Sequence, residues 1–185
     1  MINQQEKTGI VTEIKGWSKH VLEPRNSEFN GIPACPYAKA AWEDNKVEVV
    51  FKEDKSYGLL SNTLENWNED KDLVIIVDTN FIKREDRFHE YNDIINKRIS
   101  KNTYKDKDLW VMGFHPDDDE QELLDSEDFE PEYALVFVQR LSKLEQAAEK
   151  LRSVGYYEQY FKEYDVEPMY KLRNKFYRRL QDGRC

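Results

Sequence analysis

A chain of 185 residues can bury its own hydrophobic core but is too short for two full-sized domains, so we expect one domain over residues 1–185. The formal net charge of -9 disfavours binding to nucleic acid or to an anionic membrane surface, because both repel a negatively charged protein. Only Cys35 and the terminal Cys185 are cysteines, which gives no disulfide framework and favours a reducing compartment. No membrane span or signal peptide is recognisable, so we expect a soluble cytoplasmic protein.

The first half of the chain alternates helical and strand patterns. Ile10, Ile14, Trp17 and Val21 recur at helical spacing, which predicts a first helix over residues 5–22, ended by Pro24. The same reasoning predicts a short helix over 37–43, a strand over 46–52, a helix over 61–68 capped by Ser61, and a buried strand over 73–77.

The second half continues the alternation. Patterns of apolar residues predict a helix over 84–99, a strand over 109–114, a strand over 133–139, a helix over 141–151 with Gly155 as its stop, and a last helix over 169–180. A long acidic loop over 117–131 separates the last two strands, and a tyrosine-rich turn precedes the last helix.

This order of elements predicts an α/β or α+β fold. We expect a central sheet of about four strands with helices packed on it and extra helices at both termini. The core would span about residues 5–155, and a C-terminal helical extension about 156–182. Ligands bind beyond the carboxyl ends of strands in such sheets, and Asp78 and His115 both follow a predicted strand.

The apolar stretch from Gly31 to Lys39 contains the internal cysteine. Pro36 suits the first turn of a helix, so Cys35 is predicted as the N-cap of the short helix, where the helix dipole would lower the pKa of its thiol. The alternative is a small buried hydrophobic residue, which is the usual role of a lone cysteine. Ala38 occupies the second cysteine position of a C-x-x-C motif, so dithiol redox chemistry is excluded.

His115 lies in the sequence Phe-His-Pro-Asp. The leading hypothesis pairs Cys35 as nucleophile with His115 as base, and Asp117 or Asp78 would orient the imidazole of a cysteine-dependent transferase or hydrolase acting on a small-molecule substrate. Arg140 could hold an anionic group of that substrate. The two other histidines, His20 and His89, are interpreted as ordinary surface residues of helices.

Two further hypotheses stay open. One is a metal site made of Cys35, His115 and Asp117, or an oxygen-rich cation site made of His115 and the carboxylates at 117–120. No histidine follows His115, which disfavours an iron site with two histidines and a carboxylate. The other is a non-catalytic binding or regulatory module that uses the acidic loop 117–130 or the basic C-terminal helix.

Several segments resemble one bacterial protein family in the same order. They are I-P-A-C-P-Y-A-K at 32–39, the strand V-E-V-V-F after it, F-H-E-Y-N-D-I-I at 88–95, and F-H-P-D at 114–117. The chain is similar over about residues 16–152 to the family called domain of unknown function 1415. This resemblance implies Cys35, Pro36, His115, Pro116 and Asp117 as site residues, with Arg140 as a further candidate.

The resemblance implies no activity, and Tyr37 stands where the family has a phenylalanine. Tyr37 and Lys39, which belong to the cysteine motif, join Arg140 as candidate substrate-binding residues. The sequence identifies no cofactor, and it fixes neither the substrate nor the oligomeric state.

Overall fold

The computed structural model describes residues 2–104, 106–118, 131–163 and 167–182. Within these ranges the helices are α1 (Gln4–Trp17), α2 (Ala38–Glu43), α3 (Gly58–Glu65), α4 (Glu85–Ser100), α5 (Leu141–Arg152), α6 (Tyr160–Glu163) and α7 (Glu167–Gln181). The strands are β1 (Arg25–Asn26), β2 (Ile32–Pro33), β3 (Val47–Lys52), β4 (Leu73–Asp78), β5 (Leu109–Phe114) and β6 (Ala134–Arg140). The predicted α/β fold with a sheet of four strands and flanking helices is confirmed.

The sheet is mixed, with the strand order β3-β4-β6-β5. Strand β3 runs parallel to β4, and α3 connects them, whereas β6 runs antiparallel to both β4 and β5. Strands β3, β4 and β5 therefore all end at one edge of the sheet, which we call the carboxyl edge. Lys52, Asp78 and Phe114 are the last residues of these strands. Strand β6 ends at the opposite edge, with Arg140 beside Leu109.

Helices cover both faces of the sheet. The alternating side chains of β4 explain this, because Val74 and Ile76 belong to one apolar cluster and Ile75 and Val77 to another. Helices α3 and α4 supply the first cluster, so we call that side the α4 face. Helices α1 and α2 and the π-helical turn Ser18–Leu22 supply the second cluster, and we call that side the α1 face.

Helix α7 packs against α5 and the edge strand β5. Phe176 contributes to an apolar cluster with Trp110 and Leu141, and the buried guanidinium of Arg173 donates a hydrogen bond to the buried carboxylate of Glu145. One positive charge of this basic helix is therefore buried in an ion pair and does not lie on the surface. Among the described residues, no helix combines the length and the apolar character needed to cross a membrane.

Two local predictions were wrong, and one element was not predicted. Tyr37, and not Cys35, is the N-cap residue of α2. Helix α3 begins at Gly58, so Ser61 lies inside the helix and does not cap it. The antiparallel ribbon of β1 and β2 was not predicted, because a strand of two residues has no measurable period.

A candidate site of one histidine and two carboxylates

Cys35 lies on the α1 face. Its backbone N–H donates a hydrogen bond to the carbonyl oxygen of Leu22 (N···O 2.9 Å), and its sulfur accepts hydrogen bonds from the N–H groups of Tyr37 and Ala38. Burial raises the pKa of the thiol above its ordinary value, the two N–H donors oppose that rise, and the nearby carboxylate of Glu23 adds to it. The thiol is therefore not activated by its surroundings.

His115 lies on the α4 face and is completely buried, between the rings of Phe81 and Phe88. Its Nε2 is 3.0 Å from the carbonyl oxygen of Ile82, and its Nδ1 is 3.1 Å from the backbone nitrogen of Asp117. A carbonyl oxygen can only accept a hydrogen bond and an N–H can only donate one. Both bonds therefore require a neutral imidazole with its proton on Nε2.

The sheet separates the thiol from the imidazole. Cys35 bonds to the turn that covers the α1 face, whereas both rings that enclose His115 belong to the cluster on the α4 face. The structure therefore does not form the predicted pair of Cys35 and His115. The predicted metal set of Cys35, His115 and Asp117 is not assembled either, for the same reason.

Asp78 does not orient the imidazole. Its carboxylate accepts a hydrogen bond from the ammonium group of Lys52 (2.9 Å) and another from the backbone N–H of Asn80 (2.9 Å). Both members of the ion pair are buried, and Lys52 also donates to the carbonyl oxygen of Asp54 (2.8 Å). This pair joins the ends of the parallel strands β3 and β4, and breaking such a buried pair commonly costs about 3–5 kcal/mol.

The three predicted substrate-binding residues do not form one surface. Arg140 lies at the opposite edge of the sheet, where the carboxylates of Glu69 and Asp106 accept hydrogen bonds from its guanidinium. Tyr37 and Lys39 are exposed at the start of α2, on the α1 side of the protein. The structure therefore assigns Arg140 to an ion-pair network and leaves Tyr37 and Lys39 at the surface.

A different group of side chains converges at the carboxyl edge. Glu85 and His89 lie one turn apart on the same side of α4, and Asp118 lies in the turn that follows β5. One ligand atom from each of these three residues lies within 4.8 Å of the other two. The Nε2 atom of His89 is 2.7 Å from Oδ1 of Asp118, so the two segments are already in contact.

His89 was interpreted as an ordinary surface residue of a helix, and it does lie on α4 with its side chain 42% exposed, but it also has a specific partner. Its ring is half-buried and bonds to Asp118, whose side chain is only 12% exposed. The spacing of Glu85 and His89, four residues apart on a predicted helix, was visible in the sequence. The third member was not, because Asp118 comes 29 residues after His89 and meets it only through the packing of α4 on β5.

Only the first two residues of the acidic loop 117–130, Asp117 and Asp118, belong to the described part of the chain. The carboxylate of Asp117 is 75% exposed, with Oδ2 3.6 Å from Nδ1 of His115, so Asp117 reaches the imidazole mainly through its backbone N–H. Asp119, Glu120 and the rest of the acidic loop as far as residue 130 lie outside the described residues. The oxygen-rich cation site predicted from His115 and the carboxylates at 117–120 therefore lies partly outside the described residues and stays a prediction.

The motifs that resemble domain of unknown function 1415 are divided between the two faces: Cys35 lies on one side of the sheet and His115 on the other. The resemblance stays a prediction. Comparison of the chain with protein-family models, with curated proteins and with solved structures gives no match.

Proposed function

We propose that this protein binds a divalent transition-metal ion through Glu85, His89 and Asp118. The observation that carries the proposal is the convergence of the three ligand atoms within 4.8 Å of one another, from two separate segments of the chain. The position supports it too, because the carboxyl edge of the sheet is where ligands bind in folds of this kind. This is the metal-site hypothesis of the sequence analysis with a different set of ligands.

The ligand types favour particular ions. An imidazole nitrogen suits zinc, iron, cobalt and nickel, whereas calcium and magnesium prefer sites made entirely of oxygen atoms. Three protein ligands leave at least one coordination position for water or substrate, as in catalytic zinc sites. Glu85 is exposed and the two other ligands are half-buried, so a bound ion would be accessible to solvent on one side.

The ligand atoms, which lie within 4.8 Å of one another, would have to rearrange to hold such an ion, some approaching by up to about 1.8 Å. Metal bonds of about 2.1 Å place neighbouring ligand atoms about 3.0–3.4 Å apart. The hydrogen bond of 2.7 Å between His89 and Asp118 would have to open by roughly half an ångström. The exposed side chain of Glu85 and the ring of His89, which is 42% exposed, are the groups that would move.

A bound ion would supply Lewis-acid chemistry or an activated water molecule at this edge. The thiol-dependent enzyme considered in the sequence analysis is not part of this proposal, because the environment of Cys35 raises the pKa of its thiol. The ligands of the proposed site all lie on or beside α4, away from Cys35.

The test is a titration of the untagged protein with Co²⁺, followed by visible absorption and by calorimetry, in a Cys185→Ser background that removes a competing thiol. We expect one ion per chain. Because each removes a ligand, His89→Gln, Glu85→Gln and Asp118→Asn should each weaken binding by more than the roughly 10–100-fold that the loss of an outer-sphere partner costs.

The matched controls are Glu90→Gln, which removes an exposed carboxylate from the same helix, and His20→Gln, which removes an exposed histidine from another part of the fold. Both should bind Co²⁺ like the wild type. The proposal is wrong if the wild type binds no stoichiometric ion, or if the His89→Gln, Glu85→Gln and Asp118→Asn proteins bind as tightly as the controls.

A further inference from the structure

Asp118 is the one ligand of the proposed site that does not belong to α4. Glu85 and His89 are fixed relative to each other by one turn of helix, but Asp118 must be brought to them from the end of β5. The residues that hold the turn over 115–118 against α4 therefore decide whether the three ligand atoms meet.

His115 holds that turn with four hydrogen bonds. Its backbone N–H donates to Oδ2 of Asp118 (2.7 Å), and its carbonyl oxygen accepts from the N–H of Asp118 (3.0 Å). Its ring accepts from the N–H of Asp117 at Nδ1 and donates to the carbonyl oxygen of Ile82 at Nε2. Three bonds shape the turn, and the fourth ties it to the segment that leads into α4.

The ring is also fixed by packing. It is completely buried, with the ring centroid of Phe81 at 5.0 Å and that of Phe88 at 5.5 Å. Phe88 belongs to α4, one residue before His89, so the imidazole packs directly on the helix that carries two of the ligands. With both nitrogens engaged, the ring has no lone pair for a metal ion and no free position for proton transfer.

We infer that His115 is the positioning residue of the proposed metal site: its buried neutral imidazole locks the 115–118 turn against α4 so that Oδ1 of Asp118 faces His89. This inference rests on the proposed function. It gives His115 a role outside the coordination sphere, in place of the general base or ligand predicted from the sequence. Histidines and carboxylates that orient ligands from outside the coordination sphere commonly contribute about 10–100-fold to metal affinity.

The first experiment is nitrogen NMR of the imidazole rings in the uniformly ¹⁵N-labelled protein, titrated with Zn²⁺. Without zinc, His115 should show the neutral form with its proton on Nε2. With zinc, Nε2 of His89 should show the shift of a coordinated nitrogen, while His115 keeps its proton on Nε2. A coordinated nitrogen on His115 would overturn the inference.

The second experiment compares Co²⁺ affinity and the visible Co²⁺ spectrum in two variants. His115→Phe keeps the packing but loses both ring hydrogen bonds, so affinity should fall about 10–100-fold and the spectrum should change. His115→Gln places an amide N–H near the position of Nε2 and can restore the bond to Ile82, so it should recover part of the affinity. His20→Gln is the matched control and should change neither quantity.

The outcomes separate the two proposals. If the wild type binds no cobalt, the proposed function fails and this inference fails with it. If the wild type binds and His115→Phe binds equally well with the same spectrum, the inference alone is overturned. If His115→Phe does not fold, the NMR titration of the wild type decides, because it needs no substitution.

Discussion

The Cys35 segment (Gly31 to Lys39) and the His115 turn (residues 115–118) carry the same kind of sequence signal, a reactive side chain followed by a proline. The two segments differ in where their hydrogen bonds go. The sulfur of Cys35 accepts hydrogen bonds from its own segment, at Tyr37 and Ala38. The hydrogen bonds of His115 extend outward, to Ile82 before α4 and to Asp118, which meets His89.

This difference shows that the hydrogen-bond partners of a reactive residue indicate its role better than its residue type does. Neither group is activated by its surroundings: burial raises the pKa of the Cys35 thiol, and both ring nitrogens of His115 are engaged in hydrogen bonds. His115 nevertheless holds the carboxylate of Asp118, which contacts His89 and is a ligand in the proposed function. The hydrogen bonds of Cys35 shape the entry to α2 and join it to the turn Ser18–Leu22, so the same signal there indicates structural support.

The largest expected difference between the two segments is the loss of stability when each side chain is removed. His115→Ala would leave a cavity and two unpaired polar groups, at Ile82 and Asp117, and should lower the free energy of unfolding by about 3–5 kcal/mol. Cys35→Ala removes a smaller group, whose hydrogen bonds with the N–H groups of Tyr37 and Ala38 are weak ones to sulfur, and should cost about 1–2 kcal/mol. Urea unfolding followed by tryptophan fluorescence measures both, and equal losses would contradict the distinction between the two segments.

A second and smaller loss of stability is expected from a substitution in the packing next to the His115 turn. A Cβ on Gly113 would lie 2.3 Å from Nδ2 of Asn92 and 2.4 Å from Cε1 of Phe88. Both side chains are buried on α4, so neither can move away freely. Gly113→Ala should therefore lower the free energy of unfolding by about 2–3 kcal/mol, and thermal unfolding followed by circular dichroism measures it.

The control for this substitution is Gly16→Ala in α1. A Cβ on Gly16 meets no atom within 4 Å, and alanine is the better helix former, so this variant should be more stable by about 0.5–1 kcal/mol. Opposite signs for the two substitutions would show that α4 packs tightly on β5 at this point. A Gly113→Ala protein with the same free energy of unfolding as the wild type would mean that α4 and β5 are less closely packed, and the site less rigid, than the structure indicates.

Much of the fold could be predicted because its signals are local. The apolar run 73–77 became the buried strand β4, and the helical spacing of Phe88, Tyr91, Ile95 and Ile99 became α4. The start of α3 at Gly58 was missed because its N-cap residue Tyr57 makes no side-chain cap hydrogen bond that a sequence pattern could reveal.

The candidate site could be predicted only in part. Its place at the carboxyl edge followed from the strand order, and Asp117 and His115 directed attention to the right turn. The relation of Cys35 to His115 could not be predicted, because nothing in a sequence tells on which face of a sheet a loop residue will lie, and the contacts of the two residues lie on different faces. The contact of His89 with Asp118 depends on how α4 crosses β5, and only the three-dimensional structure supplies that angle.

The smallest expected effect is on the reactivity of the thiol. It tests whether the surroundings of Cys35 leave the thiol unactivated. Burial raises the pKa of Cys35, so less thiolate is present at a given pH than for an exposed cysteine, and alkylation should be slow at pH 7–8. In Cys185→Ser protein, the rate of reaction with iodoacetamide should still be rising at pH 9, without a plateau at lower pH.

The same shift predicts a loss of stability at high pH. The unfolded chain ionises Cys35 at its ordinary pKa and the folded chain only above it, so this group favours the folded state fully below the ordinary pKa and loses that contribution as the pH rises through the folded value. His115→Gln should leave the alkylation profile unchanged, because the sheet lies between the two residues. A plateau below about pH 8.5 that disappears in His115→Gln would instead restore the pair predicted from the sequence.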